Sequence, residues 1–152
     1  MGRKYAFPAQ NVTPNVTLVN SPFGGAPTTA IRPACYEMVI GSRASADNAV
    51  AYSFGRCATQ TGAAAAITGV ALDPADPAAI MTAGTGTATA YTTLTAGAKL
   101  LSFGMNQRAT FRWIAQPGAE FQFAAATGTG PVLITETIPT AFAVDYTFYF
   151  EE

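Results

Sequence analysis

A chain of 152 residues and 15.7 kDa has the length of one domain, and a domain of that size removes roughly 68–70 % of its unfolded surface from water without disulfide or metal staples. Eight Lys and Arg face nine Asp and Glu, so the net charge is −1 and only 11 % of residues are charged. This argues against nucleic acid, which is held by clustered cations. It also falls short of the roughly 25–35 % charged surface suited to a free soluble domain, so partners are expected to cover much of the molecule, other copies of the chain first among them.

In chain order the sequence reads as strands separated by Gly, Pro and Thr punctuation. Arg3 to Phe7 is short and extended and stops at Pro8; Asn11 to Asn20 carries Val12, Val16, Leu18 and Val19 but is interrupted by Pro14, which suits an edge strand or a tail laid on a neighbour. Residues 1–20 are therefore expected to form an N-terminal arm and first strands, and residues 21–152 a single β-sandwich domain. Ser21 to Pro27 has loop composition. Ile31 to Ser42 reads as a strand with Tyr36, Met38 and Ile40 on one face and Cys35, Glu37 and Val39 on the other. Ala49 to Thr59 alternates Val50, Tyr52 and Phe54 against Ala51, Ser53 and Gly55, whereas Thr61 to Gly69 has little side-chain bulk. One helical signal exists: over Leu72 to Met81, Asp76 can cap and Pro77 can take the first helical position, for one or two turns at most before Gly84 and Gly86.

Further strands are expected over Thr87–Leu94, Lys99–Phe103, Ala109–Ala115, Glu120–Ala126 and Val132–Ile138. The last is the clearest: Phe142, Val144, Tyr146, Phe148 and Phe150 alternate with Ala143, Asp145, Thr147 and Tyr149, the period of a half-buried antiparallel strand. Eight to ten short strands at this spacing predict an all-β, antiparallel, jelly-roll-like sandwich with an extended N-terminal arm and at most one short helix.

The residues that carry chemistry are few. Histidine is absent, which removes Ser-His-Asp and Cys-His nucleophiles and most zinc sites. Cys35 and Cys57 read as buried small hydrophobes, with a cross-strand disulfide as the alternative. Glu37, Glu120, Glu136 and Asp145 are the candidates for a paired-carboxylate glycoside hydrolase, but each alternates with small or apolar neighbours as an outward strand residue does. Asp73 and Asp76 precede prolines and lack the calcium-loop spacing; Gly84-Thr85-Gly86 and Gly128-Thr129-Gly130 lack the lysine of a phosphate loop. Phe111, Trp113, Phe121 and Phe123 read as core before sugar platform, with Trp113 at a core margin or interface. No apolar run reaches the roughly 20 residues of a membrane span, and no apolar stretch follows Arg3 and Lys4 as in a secretory signal. An enzyme, a cofactor and a metal are thus not expected.

The stretches Lys4-Tyr5-Ala6-Phe7-Pro8, Ser42-Arg43-Ala44-Ser45, Ala71 to Pro77, Glu120-Phe121-Gln122-Phe123 and Val144 to Glu152 give the chain its style. It resembles the small β-sandwich virion proteins of tailed bacteriophages, especially capsid decoration or cement proteins, over most of its length. The resemblance implies a homotrimer seated on the major capsid protein lattice, bracing the shell on the outer surface of a virion after synthesis in the host cytoplasm. It has no catalytic residues to carry over. Arg3, Lys4, Tyr5 and Phe7 are expected to contact the capsid or a neighbour, by adding a strand to a sheet edge. A tail-tip or fibre module binding host carbohydrate is the second reading, with Phe23, Tyr36 and Tyr91 as loose candidates.

Overall fold

The computed structural model describes residues 2–13, 20–43, 47, 49–57, 65–85, 98–106, 108–127, 129–137 and 143–152. Twelve strands fall within them: β1 Lys4–Val12, β2 Asn20–Ala26, β3 Ala34–Ser42, β4 Ala49–Cys57, β5 Ala65–Ile67, β6 Val70–Ala71, β7 Thr82–Thr85, β8 Lys99–Asn106, β9 Phe111–Ile114, β10 Phe121–Gln122, β11 Gly130–Thr137 and β12 Val144–Glu151. They form two antiparallel six-stranded sheets. The first runs β10-β3-β12-β1-β6, with β9 beside β10 along the same edge of β3; the second runs β5-β7-β2-β11-β4-β8. Among the described strands none pairs with its immediate neighbour in sequence. The chain instead alternates between sheets from β1 through β4, and from β8 it crosses to the first sheet for β9 and β10, back for β11 and over again for β12, which is the jelly-roll-like connectivity of a double-layered sandwich. Strands β5, β6 and β7, inserted between β4 and β8, extend both sheets on the β1/β2 side.

The core between the sheets is aromatic. On β12 Val144, Tyr146, Phe148 and Phe150 are buried, as their period requires. Phe23 of β2 stacks on Phe148 at 4.2 Å, and Phe54 of β4 lies 5.5 Å from the same ring, so one strand of the first sheet touches two of the second. Burying each such side chain contributes about 1.5–3 kcal/mol. Phe103 of β8 stacks on Phe111 of β9 at 3.7 Å, closing the sandwich along its β8/β9 margin.

The structure corrects four local readings. Ser21 to Pro27 is not a loop: most of it is β2, an interior strand whose Phe23 is fully buried. Its glycines serve close approach, since a Cβ at Gly25 would stand 2.7 Å from Pro131 and one at Gly130 only 2.0 Å from the Gly25 carbonyl. On β3, Tyr149 pairs with Glu37 but Phe150 with Cys35, so Tyr36 is the extra residue of a bulge. The bulge turns Cys35 inward beside Met38 and Ile40 and leaves Tyr36 on the outer face. No helix forms over Leu72–Met81; the Asp73 side chain takes the Ala75 amide at 2.9 Å and its carbonyl takes Asp76 N at 3.0 Å, a turn that uses the amides a helix needs. The strand expected to end at Phe103 continues through Gly104, Met105 and Asn106 as β8. The expected strand over Thr87–Leu94, together with Phe142 and Tyr91, lies outside the described residues.

The segment read as an arm is the start of β1, inside the sandwich. It pairs with β12 from Lys4↔Glu151 to Val12↔Val144 and with β6 through Tyr5↔Ala71 and Ala6↔Val70. Backbone bonds between Arg3 and Glu152 in both directions, at 3.0 and 2.8 Å, fasten the two ends of the chain together. Cys35 and Cys57 are free and buried, and burial pushes both thiols up.

Candidate interaction surface

Alternation places one residue in two of β1, β12, β3 and β9 on the outer face of the first sheet. Register gives two rows across it: Val70, Ala6, Tyr149, Glu37, Ile114, and then Pro8, Thr147, Val39, Arg112. Lys4 and Glu151 stand opposite each other above these rows, and Gly41 and Asp145 below. The Tyr36 bulge brings its ring to 6.0 Å from that of Tyr149, and Lys4 Nζ sits 5.2 Å over Tyr36. Burial and then the neighbouring Glu37 push the Tyr36 phenol up to about 12, so that ring is uncharged at neutral pH.

Charge on this face is balanced locally. Arg112 Nε donates to Glu37 Oε1 at 2.8 Å, and Arg43 Nε to Asp145 Oδ2 at 2.7 Å. Asp145 also accepts the Asn11 amide at 2.7 Å, where β1 bulges and Asn11 takes φ 56°. The Asn11 amide first and Arg43 second hold the Asp145 carboxyl below its usual range. Its role is to tie a left-handed turn residue to its neighbouring strand. Below the aromatic rows lies a shallow depression of 240 Å³ lined by Pro8, Val39, Gly41, Thr110 and Asp145 among others, small beside the roughly 300–1,000 Å³ of ligand pockets.

The four sequence-selected carboxylates do not converge. Glu37 and Asp145 share the first sheet's outer face but each has its own arginine. Glu136 belongs to the second sheet, where Lys99 first and Ser53 second hold its carboxyl down. Glu120 accepts the Gly118 amide at 3.0 Å, which lowers its carboxyl too. Asp73 is the turn residue described above and Asp76 faces Arg3 at 3.6 Å.

The four expected contact residues find partners inside their own chain. Tyr5 and Phe7 are core residues, Tyr5 donating its hydroxyl to the Pro77 carbonyl at 3.1 Å. Arg3 pairs with Asp76 and Lys4 covers Tyr36. Of the loose aromatic candidates Phe23 is fully buried and Tyr36 faces outward. Trp113 stacks on Phe121 at 4.3 Å, half-buried at the margin of the core. What residue reading passed over is Tyr149 with Val39, Val70 and Ile114. The alternation of the last strand already turned Tyr149 outward, an aromatic where a solvated strand usually presents a charge. Among the described residues, no cluster of three metal-ligating side chains occurs, and no helix is long and apolar enough to cross a membrane. Comparison with protein-family models, with curated proteins and with solved structures finds no match to this chain.

Proposed function

We propose that this chain is a structural virion protein, decorating and stabilising a phage capsid by binding the major capsid lattice as a homo-oligomer, with a trimer expected. One observation carries the reading: the outer face of the first sheet, where Tyr36, Tyr149, Val39 and Ala6 stand among ion pairs that are already satisfied. Covering such a face leaves neither Glu37 nor Asp145 without its arginine, which avoids the larger cost of an unpaired buried charge, and the aromatic and apolar side chains supply the favourable contact. Half-buried tyrosines that face outward, as Tyr36 and Tyr149 do, belong to the side-chain types that dominate protein interfaces. The low overall charge points the same way. The paired-carboxylate hydrolase gains no support, since its candidate acids are divided between two sheets and engaged in turns and ion pairs.

A carbohydrate-binding reading draws on the same two tyrosines, whose rings are tilted 41° to each other beside Glu37 and Lys4. One experiment separates the two. The purified chain is incubated with empty shells of the virus that encodes it and, in parallel, with an array of bacterial surface glycans. Saturable binding to shells that is lost in Tyr149→Ser supports decoration. Glycan binding without shell binding replaces it with the second reading.

A further inference from the structure

All nine Asp and Glu of the chain lie among the described residues, and each is engaged. Glu37, Asp76, Glu136 and Asp145 face cations; Asp73, Glu120, Glu151 and Glu152 take backbone amides. Asp47 takes the side-chain amide of Asn106. None of the nine is left for Arg56. Its Nε and Nη2 both donate to the Gln122 carbonyl, at 3.2 and 2.9 Å, and its Cζ lies 5.8 Å from the centre of the Phe123 ring. A carbonyl and a ring face orient the guanidinium without neutralising it. Among the described residues no acceptor is bonded to Nη1.

This cation stands over a cavity. A space of 300 Å³ opens at the end of the sandwich where β4 finishes, β11 begins and the chain leaves β10. Cys57 and Phe123 are its buried residues, Ala98 and Ala124 add methyl groups, Thr129 adds a hydroxyl, and Arg56 is exposed at the rim. The volume is at the small end of the roughly 300–1,000 Å³ of ligand pockets, and the mixture of apolar wall with a few polar groups is what such pockets have. The depressions around Asp145, around Glu136, and around Glu120, Glu151 and Glu152 each contain carboxylates. Here no carboxylate is on the wall, and the guanidinium is already held in place, so little of its freedom remains to be lost on binding.

We infer that this cavity binds a monocarboxylate with a small apolar body, its carboxylate on the free side of the Arg56 guanidinium and beside Thr129, its body against Cys57, Phe123, Ala98 and Ala124. One uncompensated positive charge calls for one negative charge, and charge-assisted bonds of guanidinium to carboxylate are the strong ones. A phosphate dianion would need further cationic or amide donors, and the wall is chiefly apolar. Two sources present this chemistry: a free small acid, and the C-terminal carboxylate of a peptide. The cavity shares no residue with the outer face of the first sheet, so the inference stands apart from the shell-binding reading.

The test titrates the wild-type chain with benzoate and, separately, with benzamide, which has nearly the same shape and no charge, following backbone amide shifts by nuclear magnetic resonance. Benzoate is expected to saturate with a Kd of about 1 mM or tighter, moving the amides of Phe123, Ala124, Thr129 and Gly130, and benzamide to bind at least about tenfold more weakly. Arg56→Met is expected to weaken benzoate by at least about tenfold, and Ala124→Leu, which narrows the cavity and keeps the charge, to weaken it as well. Absence of saturation, equal binding of the two probes, or shifts centred away from the cavity, as at Lys4 and Tyr36, would each overturn the inference. Arg56 also ties β4 to Gln122; if Arg56→Met is unfolded, the wild-type comparison and Ala124→Leu decide. A blocked dipeptide ending in Phe, with a free or an amidated C-terminus, distinguishes the sources: binding of the free form about tenfold tighter than benzoate assigns a chain end, and weaker binding assigns a free acid.

Discussion

Thr135 is buried at 2 % exposure on β11, and its hydroxyl Oγ1 has no hydrogen-bond partner among the described residues. A hydroxyl in that position has given up water without replacement, so Thr135→Val, which keeps the shape, is expected to leave stability unchanged or raise it by about 1 kcal/mol in chemical denaturation. Tyr146 is the opposite case: its buried hydroxyl donates to the Pro22 carbonyl at 2.6 Å. Tyr146→Phe strands that carbonyl and is expected to cost about 1–3 kcal/mol by the same measurement. Neither fact was legible from the residues, because alternation says which side chains turn inward and nothing about which find a partner there. Asn11 is similar. Its left-handed backbone and its bond to Asp145 come from a bulge set by β12, 134 positions away.

At the scale of the strand, β12 was readable in full and β2 not at all. Four alternate buried residues, Val144, Tyr146, Phe148 and Phe150, announce a half-buried strand whatever the rest of the fold does. Phe148 touches Phe23, Phe54 and Tyr146, so Phe148→Ala is expected to cost about 3–5 kcal/mol in denaturant midpoint. Outward, half-buried Tyr149→Ser loses its cross-strand contact with Tyr36 and is expected to cost about 1–2 kcal/mol by the same measurement, less than the core change, which keeps it usable as a binding variant. Strand β2, in contrast, carries Pro22, Gly24 and Gly25, residues that locally favour turns. It is a strand because β7 and β11 flank it and because Gly25 and Gly130 let two backbones approach. The arm was misplaced for a related reason: Lys4 to Phe7 has the composition of any short extended segment, and only its pairing with residues 148–151 puts Tyr5 and Phe7 into the core. Removing residues 2–7 consequently tests folding and not attachment.

For the molecule as a whole, the described strands pair without neighbouring hairpins, so loop-closure entropy is met before most of their contacts form, and refolding is expected in the slow range of all-β domains. Its pH dependence follows from which groups are displaced. Asp145 and Glu136 have folded pKa values below their unfolded ones, so their stabilisation is present above the unfolded carboxylate range near 4 and is lost as pH falls through the folded values. Tyr36, raised to about 12, works in the reverse sense: its share is complete below about 10 and disappears as pH climbs toward 12. With no histidine in the chain, the thermal midpoint is expected to stay nearly flat from about pH 5 to 8 and to fall on either side, the buried Cys35 and Cys57 thiols beginning the alkaline decline. The antiparallel sandwich and its last strand were legible because period and spacing are local properties. The interaction face was only half legible, since Tyr36 reaches it through a bulge and Ile114 and Val70 through register. The central claim, that this molecule exists to cover and brace a larger shell, is tested most directly by counting copies bound per empty capsid at saturation. A fixed ratio to the major capsid subunit, lowered at least about tenfold in affinity by Tyr149→Ser, is the result expected; folded protein that leaves shells bare at every concentration would contradict it.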